Sequence, residues 1–252
     1  MRVTIITVCL NNRLFIEAAI KSVLKQDYPD FEYLIIDGES SDGTVEVIKA
    51  FAEIDARVLW SSAPDRGIGH AMNIGLGRAT GDIIAFLHAD DFYPDKGVVT
   101  AVVEKFETTP GTVWVTGGIR EVDASGRDIR LLPVRLFSPR RLLRNNIIYH
   151  PATFVRREYL LNVGGFDESL RYAMDYDLWL RLTALSPPLE IEQTLACFRI
   201  HAGSISSVNR LAALDEEYHV RKRYLRGRLA LYTHACYQML RRAYESWRAV
   251  RA

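Results

Sequence analysis

Three carboxylates in the first hundred residues stand where α/β proteins do chemistry. Asp37 closes the apolar run Phe31 to Ile36, and Asp90 and Asp91 follow the run from Asp82 to Leu87. Ligands of parallel sheets gather beyond the carboxyl ends of the strands, so packing can bring these acids to one rim. A lone Asp at a strand end also serves as a turn or cap residue; two such sites in one sheet point beyond that. Adjacent carboxylates repel, and ionising both in a partly buried place calls for a compensating cation or hydrogen-bond donors. A hard divalent ion, Mn²⁺ or Mg²⁺, is held by one or two carboxylates together with phosphate oxygens, which suits so sparse an acidic set. Neighbouring side chains of extended backbone diverge, so Asp90 and Asp91 are expected to take different tasks, only one of them on the metal.

The elements that would position these acids follow from periodicity. Short apolar runs alternate with helical patterns through the first half, the signature of βαβ units and a mostly parallel sheet. Strands are expected at Val3–Leu10, Phe31–Ile36, Val58–Ser61 and Asp82–Leu87. Helices are expected after Phe15, over Thr44–Ala52, over Ile68–Ala79 and near Lys96–Phe106. Beyond a strand at Val113–Thr116 the pattern turns irregular, with a hairpin turn at Ala124-Ser125-Gly126, strands at Ala152–Val155 and Leu195–Ile200, and a helix over Asp175–Ala184. We place a soft division near Gly117, giving halves 1–117 and 118–210. In the tail, residues 211–252, a long helical pattern from about Leu211 to Trp247 sets Leu214, Tyr218, Leu225, Leu229, Tyr232, Cys236, Met239, Ala243 and Trp247 on one stripe, with most arginines off it.

Composition excludes several classes. With 252 residues, 48% hydrophobic and 25% charged, the chain is an ordinary globular protein, and its net charge of +1 gives no sign of a nucleic-acid binder. Cys9, Cys197 and Cys236 are odd in number and lack metal-like spacing, so they read as core thiols. Asn11 and Asn12 end the first apolar run too early for a signal peptide, and no stretch is long enough to span a bilayer, so a cytoplasmic location is expected. No Gly-rich, Lys-terminated phosphate loop occurs, and Cys9-Leu10-Asn11-Asn12-Arg13 lacks the three-glycine dinucleotide fingerprint.

A resemblance covers residues 3 to 205. Thr7-Val8-Cys9-Leu10-Asn11-Asn12, Asp37-Gly38-Glu39-Ser40-Ser41-Asp42-Gly43-Thr44, Asp65-Arg66-Gly67 with Ala71-Met72-Asn73, Ala79-Thr80-Gly81-Asp82 and Ala89-Asp90-Asp91 resemble the family 2 inverting glycosyltransferases of the GT-A fold. His150-Pro151-Ala152-Thr153-Phe154, Gly164-Gly165-Phe166-Asp167 and Asp175-Tyr176-Asp177-Leu178-Trp179-Leu180-Arg181-Leu182 are similar to acceptor-side segments of bacterial members that build surface polysaccharides. The resemblance implies a GT-A (Rossmann-like), mostly parallel central sheet flanked by helices, with the C-terminal amphipathic helical tail outside it. It makes residues 1–117 the nucleotide-sugar half and 118–210 the acceptor half. It implies that Asp37 contacts the donor base, with Thr7 and Asn11 shaping the base pocket, and that Asp65 and Arg66 lie near the nucleotide. It puts Asp91 and His201 at the metal, Asp90 on ribose or sugar, and makes Asp175 the catalytic base. Ala89 stands where some members carry another acid, and Met174 where a Glu often precedes the base.

The implied reaction is a metal-assisted single displacement with inversion. A hydroxyl of a saccharide or lipid-linked acceptor attacks a nucleoside-diphosphate sugar, with a uridine diphosphate donor favoured. The Gln, Arg and Trp motif of processive synthases is missing after Asp175, so single-sugar addition is expected. The rival readings are a nucleotidyltransferase that makes nucleotide sugars and a non-catalytic sugar-binding protein. His88, His150 and Asp167 either line the cleft or are structural, and Asp177 reads as an acid complementing a helix dipole. The tail's aromatic stripe and arginine-rich faces suit either an anionic membrane surface, on the cytoplasmic side, or packing against the domain or a second subunit as a homodimer.

Overall fold

The computed structural model describes residues 1–204 and 209–251, with side chains to 247; Ala252 and the side chain of Arg248, both within the expected tail, lie outside the described residues. Eight strands form one sheet: β1 Val3–Cys9, β2 Phe31–Asp37, β3 Val58–Ser62, β4 Ile83–Phe86, β5 Trp114–Val122, β6 Asp128–Leu132, β7 Thr153–Arg156 and β8 Leu189–Arg199. Their order is β3-β2-β1-β4-β7-β5-β6, with β8 also paired to β5. Strands β1 to β4 pair in parallel, as does β8 with β5, whereas β7 is antiparallel to β4 and β5. Helices α1 Ile16–Leu24, α2 Thr44–Ile54, α3 Ile68–Arg78 and α4 Val98–Thr108 serve the first half; α5 Pro139–Arg144, α6 Arg157–Asn162 and α7 Met174–Thr183 serve the second. The tail forms α8 Arg210–Lys222 and α9 Arg228–Arg251.

The sequence of β1 explains its place. All seven residues are buried, as a central parallel strand covered on both faces requires. Val3 and Ile5 face one core, with α1 and α4, while Ile6 and Val8 face the other, with α3 and α7. Gly75 of α3 lets that helix lie close, since a Cβ there would sit 2.5 Å from a methyl of Ile6. Because β2 and β3 extend to one side of β1 and β4 lies on the other, the direction of winding reverses between β1 and β4. A crevice opens at such a switch point, beyond the strand ends.

Gly117, where the soft functional division was placed, lies inside β5, which pairs with β8 on both sides of it. The glycine is there for close approach: a Cβ would meet Leu195 at 2.5 Å. The tail is two helices rather than one, broken where Gly227 takes a positive φ of 86°, a conformation that favours glycine. Leu214 and Val220 of α8 are buried, but Leu229, Tyr232 and Met239 of α9 point to solvent. The buried side of α9 carries Gln238 instead, whose amide donates to the Leu214 carbonyl at 2.8 Å. Among the described residues no helix is long and apolar enough to cross a membrane.

Candidate active site

Beyond β1 and β2 the chain builds a polar loop cluster. Asp37, 1% exposed, accepts from the Ser40 hydroxyl at 2.5 Å, the Ser40 N–H at 2.9 Å and the Ser62 hydroxyl at 2.6 Å. Asn11, at φ 52°, accepts the Ser41 N–H at 2.9 Å, so the β1 and β2 loops are tied together. Asp65 joins them: its carboxylate would lie 2.6 Å from a Cβ at position 38, space that only Gly38 leaves free. Arg66 turns away to Glu168, at 2.6 Å, and Glu168 also accepts from Asn73 at 3.0 Å. The loop before α3 is thereby pinned to the segment that leads to α7. Thr7, expected at the base pocket, is fully buried, bonded to the Leu87 carbonyl at 2.7 Å and to the Tyr33 hydroxyl at 2.9 Å.

Beyond β4 the chain makes a turn closed by the Asp91 N–H on the His88 carbonyl at 3.1 Å, and the two adjacent acids point to different surroundings. Asp91 is 1% exposed; its Oδ1 accepts the Arg199 N–H at 2.9 Å. Its Oδ2 is buried without a partner. Burial, and then the neighbouring Asp90 charge, push its carboxyl well above the usual range. Asp90 is the outward one: its Oδ2 lies 3.1 Å from His201 Nε2. The His201 ring packs on Phe15, 4.6 Å between centroids. Arg199, which sequence reasoning passed over, secures this corner by donating to the Asp90 carbonyl at 2.9 Å while its guanidinium lies over Phe15 and Phe92.

Asp90 and His201 bring one oxygen and one nitrogen within 3.1 Å of each other, donor types that a divalent cation would accept. Among the described residues no cluster of three or more His, Cys, Asp or Glu could hold a metal by itself. A cation at this corner would thus draw its remaining ligands from phosphate oxygens and water, as Mg²⁺ commonly does.

A floor of rings connects this corner to α7. His88 and His150 stack at 4.9 Å with planes 16° apart. His150 then meets Phe166 and Trp179, at 6.1 and 5.9 Å. Burial lowers the pKa of both imidazoles, and that of His150 falls further because His88 is beside it. Both rings are therefore neutral at physiological pH. Trp179, stacked on Trp114 of β5 at 5.6 Å, fixes α7 against the sheet, and Asp175 lies one turn before it on the same helix face. Its Oδ2 accepts from the Asn146 amide at 3.0 Å. Burial raises the Asp175 carboxyl from 3.8 to about 6, with a smaller contribution from the Glu217 charge. Asp177 points the other way, 2% exposed, and binds Arg181 at 2.8 Å and Arg223 at 3.3 Å. Asp167 likewise accepts from Arg223, at 2.9 Å.

The sequence profile described as Glycosyl transferase family 2 matches residues 4–164. An uncharacterised glycosyltransferase of Mycobacterium tuberculosis is 28% identical over 242 residues, covering 90% of this chain and 90% of the relative. Chondroitin synthase of Escherichia coli is 28% identical over 207 residues, 81% of this chain but 29% of that one. Among solved structures, a mannosyltransferase of Pyrobaculum calidifontis in complex with GDP-Man and Mn²⁺ superposes with a TM-score of 0.71 at 20% identity, over 94% of this chain and 69% of that one. Residues 1–349 of TarS from S. aureus, in complex with UDP-GlcNAc, give 0.70 at 18% identity over 93% and 69%. At these identities the two likenesses establish the fold, which is that of GT-A glycosyltransferases.

Proposed function

The chain belongs to glycosyl transferase family 2, and from that premise we propose that it transfers a sugar from a nucleoside-diphosphate sugar to a hydroxyl of a saccharide or lipid-linked acceptor, with inversion. One observation carries the reading: ring contacts run from His88, two residues before Asp90, through His150 to Trp179, one helical turn after Asp175. Asp37, Asn11 and Asp65 form the nucleotide end. Asp90 and His201 would hold a divalent cation, whose chemistry when bound is to neutralise charge on the departing diphosphate.

The remaining work falls to the chain. Asp175, ionised above about pH 6, takes the proton of the acceptor hydroxyl as that oxygen attacks the anomeric carbon. The neutral His88–His150 stack walls the space between donor and base without adding charge. A single base with no protein nucleophile assigned beside it implies one displacement, hence inversion. The likeness to a chondroitin synthase supports a saccharide acceptor and a place in surface-polysaccharide assembly.

The relatives in complex with GDP-Man and UDP-GlcNAc differ in nucleotide, so the test spans both. Thermal unfolding of the protein with Mn²⁺ is expected to shift upward with a UDP- or GDP-sugar. A ligand at 100 times its dissociation constant adds about 2.7 kcal/mol. A shift with nucleoside triphosphates alone would instead mark a nucleotidyltransferase. Binding of the sugar nucleotide with no transfer to any acceptor and no donor hydrolysis would mark a non-catalytic binding protein.

The exposed face of α9 bears on where the enzyme works. Leu229, Tyr232 and Leu240 are 77, 69 and 71% exposed and share a face at helical spacing, beside Arg226 and Arg228. Such a basic, aromatic, apolar face suits the boundary of an anionic bilayer. The protein is expected to co-sediment with anionic vesicles at low salt, and the combined changes Leu229→Ser, Tyr232→Ser and Leu240→Ser to release it. Light scattering of the same variants checks the alternative: a parent dimer that becomes monomeric, with no vesicle binding, would make this face a subunit interface.

A further inference from the structure

The tail reaches the catalytic base along two separate routes. On the first, the Glu216 carboxylate of α8 accepts the backbone N–H of Arg171 at 2.9 and 3.1 Å, that of Ala173 at 2.7 Å, and that of Tyr172. These donors belong to the turn that leads into α7 and ends at its N-cap, Ala173, where a carboxylate also complements the helix dipole. Asp175 follows two residues later.

On the second route, Arg221 of α8 is fully buried and donates to the Arg144 carbonyl and to Gln238 of α9. Tyr237 of α9 donates its hydroxyl to Asn145 at 2.7 Å, and the Arg144 guanidinium lies 4.5 Å over the Tyr237 ring. The next residue is Asn146, whose amide holds Asp175 Oδ2 at 3.0 Å. A buried guanidinium facing a carbonyl is a costly way to pack a helix, and an apolar side chain of similar volume would do it more cheaply. The arrangement secures orientation at one short segment, residues 144–146.

We infer that the C-terminal helices are part of the catalytic apparatus: Glu216, through the turn before α7, and Tyr237, through Asn145 and Asn146, are positioning residues that aim the Asp175 carboxylate. The inference rests on Asp175 being the base. Effects of about 10²-fold from displacements near 1 Å make such second-hand contacts kinetically visible. The tail group whose charge faces Asp175 is Glu217, itself paired with Arg241 at 2.9 Å. Neither variant below alters that pair, and Asp177 on α7 is already neutralised by Arg181 and Arg223.

The experiment measures kcat, donor KM and the pH profile of Tyr237→Phe, Glu216→Gln and Asp175→Asn in the full-length chain. Tyr237→Phe and Glu216→Gln are expected to lower kcat about 5- to 20-fold, with donor KM within twofold of the parent. Tyr237→Phe should also move the acidic limb of the profile upward, because a loosened Asn146 no longer favours the ionised carboxylate. In the Asp175→Asn background Tyr237→Phe should have no further effect, as expected of residues acting through one group. If Asp175→Asn loses turnover while Tyr237→Phe leaves both kcat and the acidic limb unchanged, the positioning role is overturned. If Asp175→Asn keeps its turnover, it is the base assignment that fails, and the tail inference falls with it. Should Glu216→Gln not fold, Tyr237→Phe alone decides.

Discussion

Asp175→Asn is expected to lower turnover by about 10²-fold or more while nucleotide-sugar affinity stays within about twofold of the parent. Asparagine keeps the shape of the side chain and removes the proton acceptor. The pH dependence is a second, independent readout. With the Asp175 carboxyl raised from 3.8 to about 6 by burial and the Glu217 charge, the parent should lose kcat/KM as the pH falls through about 6, two units above the limb of an ordinary aspartate. Stability runs the other way. The folded protein holds this proton more tightly than the unfolded chain, so the carboxyl favours the fold below about pH 4, and that contribution is lost as the pH rises through about 6. Asp175→Asn should therefore melt no lower than the parent at pH 7, with any advantage vanishing below about pH 4. Equal losses of donor affinity and turnover would make Asp175 a binding residue instead.

How much of this was legible before the fold was known differs between the two halves of the chain. β1, β2 and β4 are continuous buried runs and β3 a partly exposed one, and periodicity and β-branched content place all four within a residue or two. β5 and β8 were each seen only in part. The second half of β5 begins with Gly117-Gly118, where the pattern turns irregular, yet the missing side chains are what let Leu195 and the Leu132 carbonyl come close. The first half of β8 carries Glu190, Glu192 and Gln193, which no apolar pattern marks as strand. In both strands tertiary contact overrides local propensity.

The site shows the same division. That acids stand beyond β2 and β4 follows from strand ends and could be read in advance; which of two adjacent carboxylates faces outward depends on the register of the loop against β8, fixed by Arg199, and could not. Asn146 was missed because a lone asparagine in an irregular stretch carries no period. The tail was read by its apolar stripe, but α9 packs through Tyr237, Gln238 and Arg241 and leaves most of that stripe in solvent. Polar pairs of this kind are specified by partners distant in sequence, and amphipathic periodicity does not register them.

The second large prediction concerns which of the two adjacent acids, Asp90 or Asp91, holds the metal. Asp90→Ala is expected to weaken Mn²⁺ binding in the presence of nucleoside diphosphate by about 10²-fold or more, beyond the 10- to 100-fold typical of outer-shell partners, and to abolish metal-dependent transfer. On sequence alone the same result belonged to Asp91. In the structure Asp91 accepts the Arg199 N–H from inside the protein, so Asp91→Asn, which keeps that acceptor, should leave Mn²⁺ affinity within a few-fold of the parent. Asp91→Ala is the harsher change, because it leaves that N–H unsatisfied and loosens the end of β8 that carries His201. His201→Ala should resemble Asp90→Ala in metal affinity, since the two side chains face the same point 3.1 Å apart. Calorimetric titration of Mn²⁺ into each variant with UDP or GDP present decides the matter. Loss of Mn²⁺ binding in Asp91→Asn equal to that in Asp90→Ala would mean that the partnerless Asp91 Oδ2 reaches the cation, and would return the metal to Asp91.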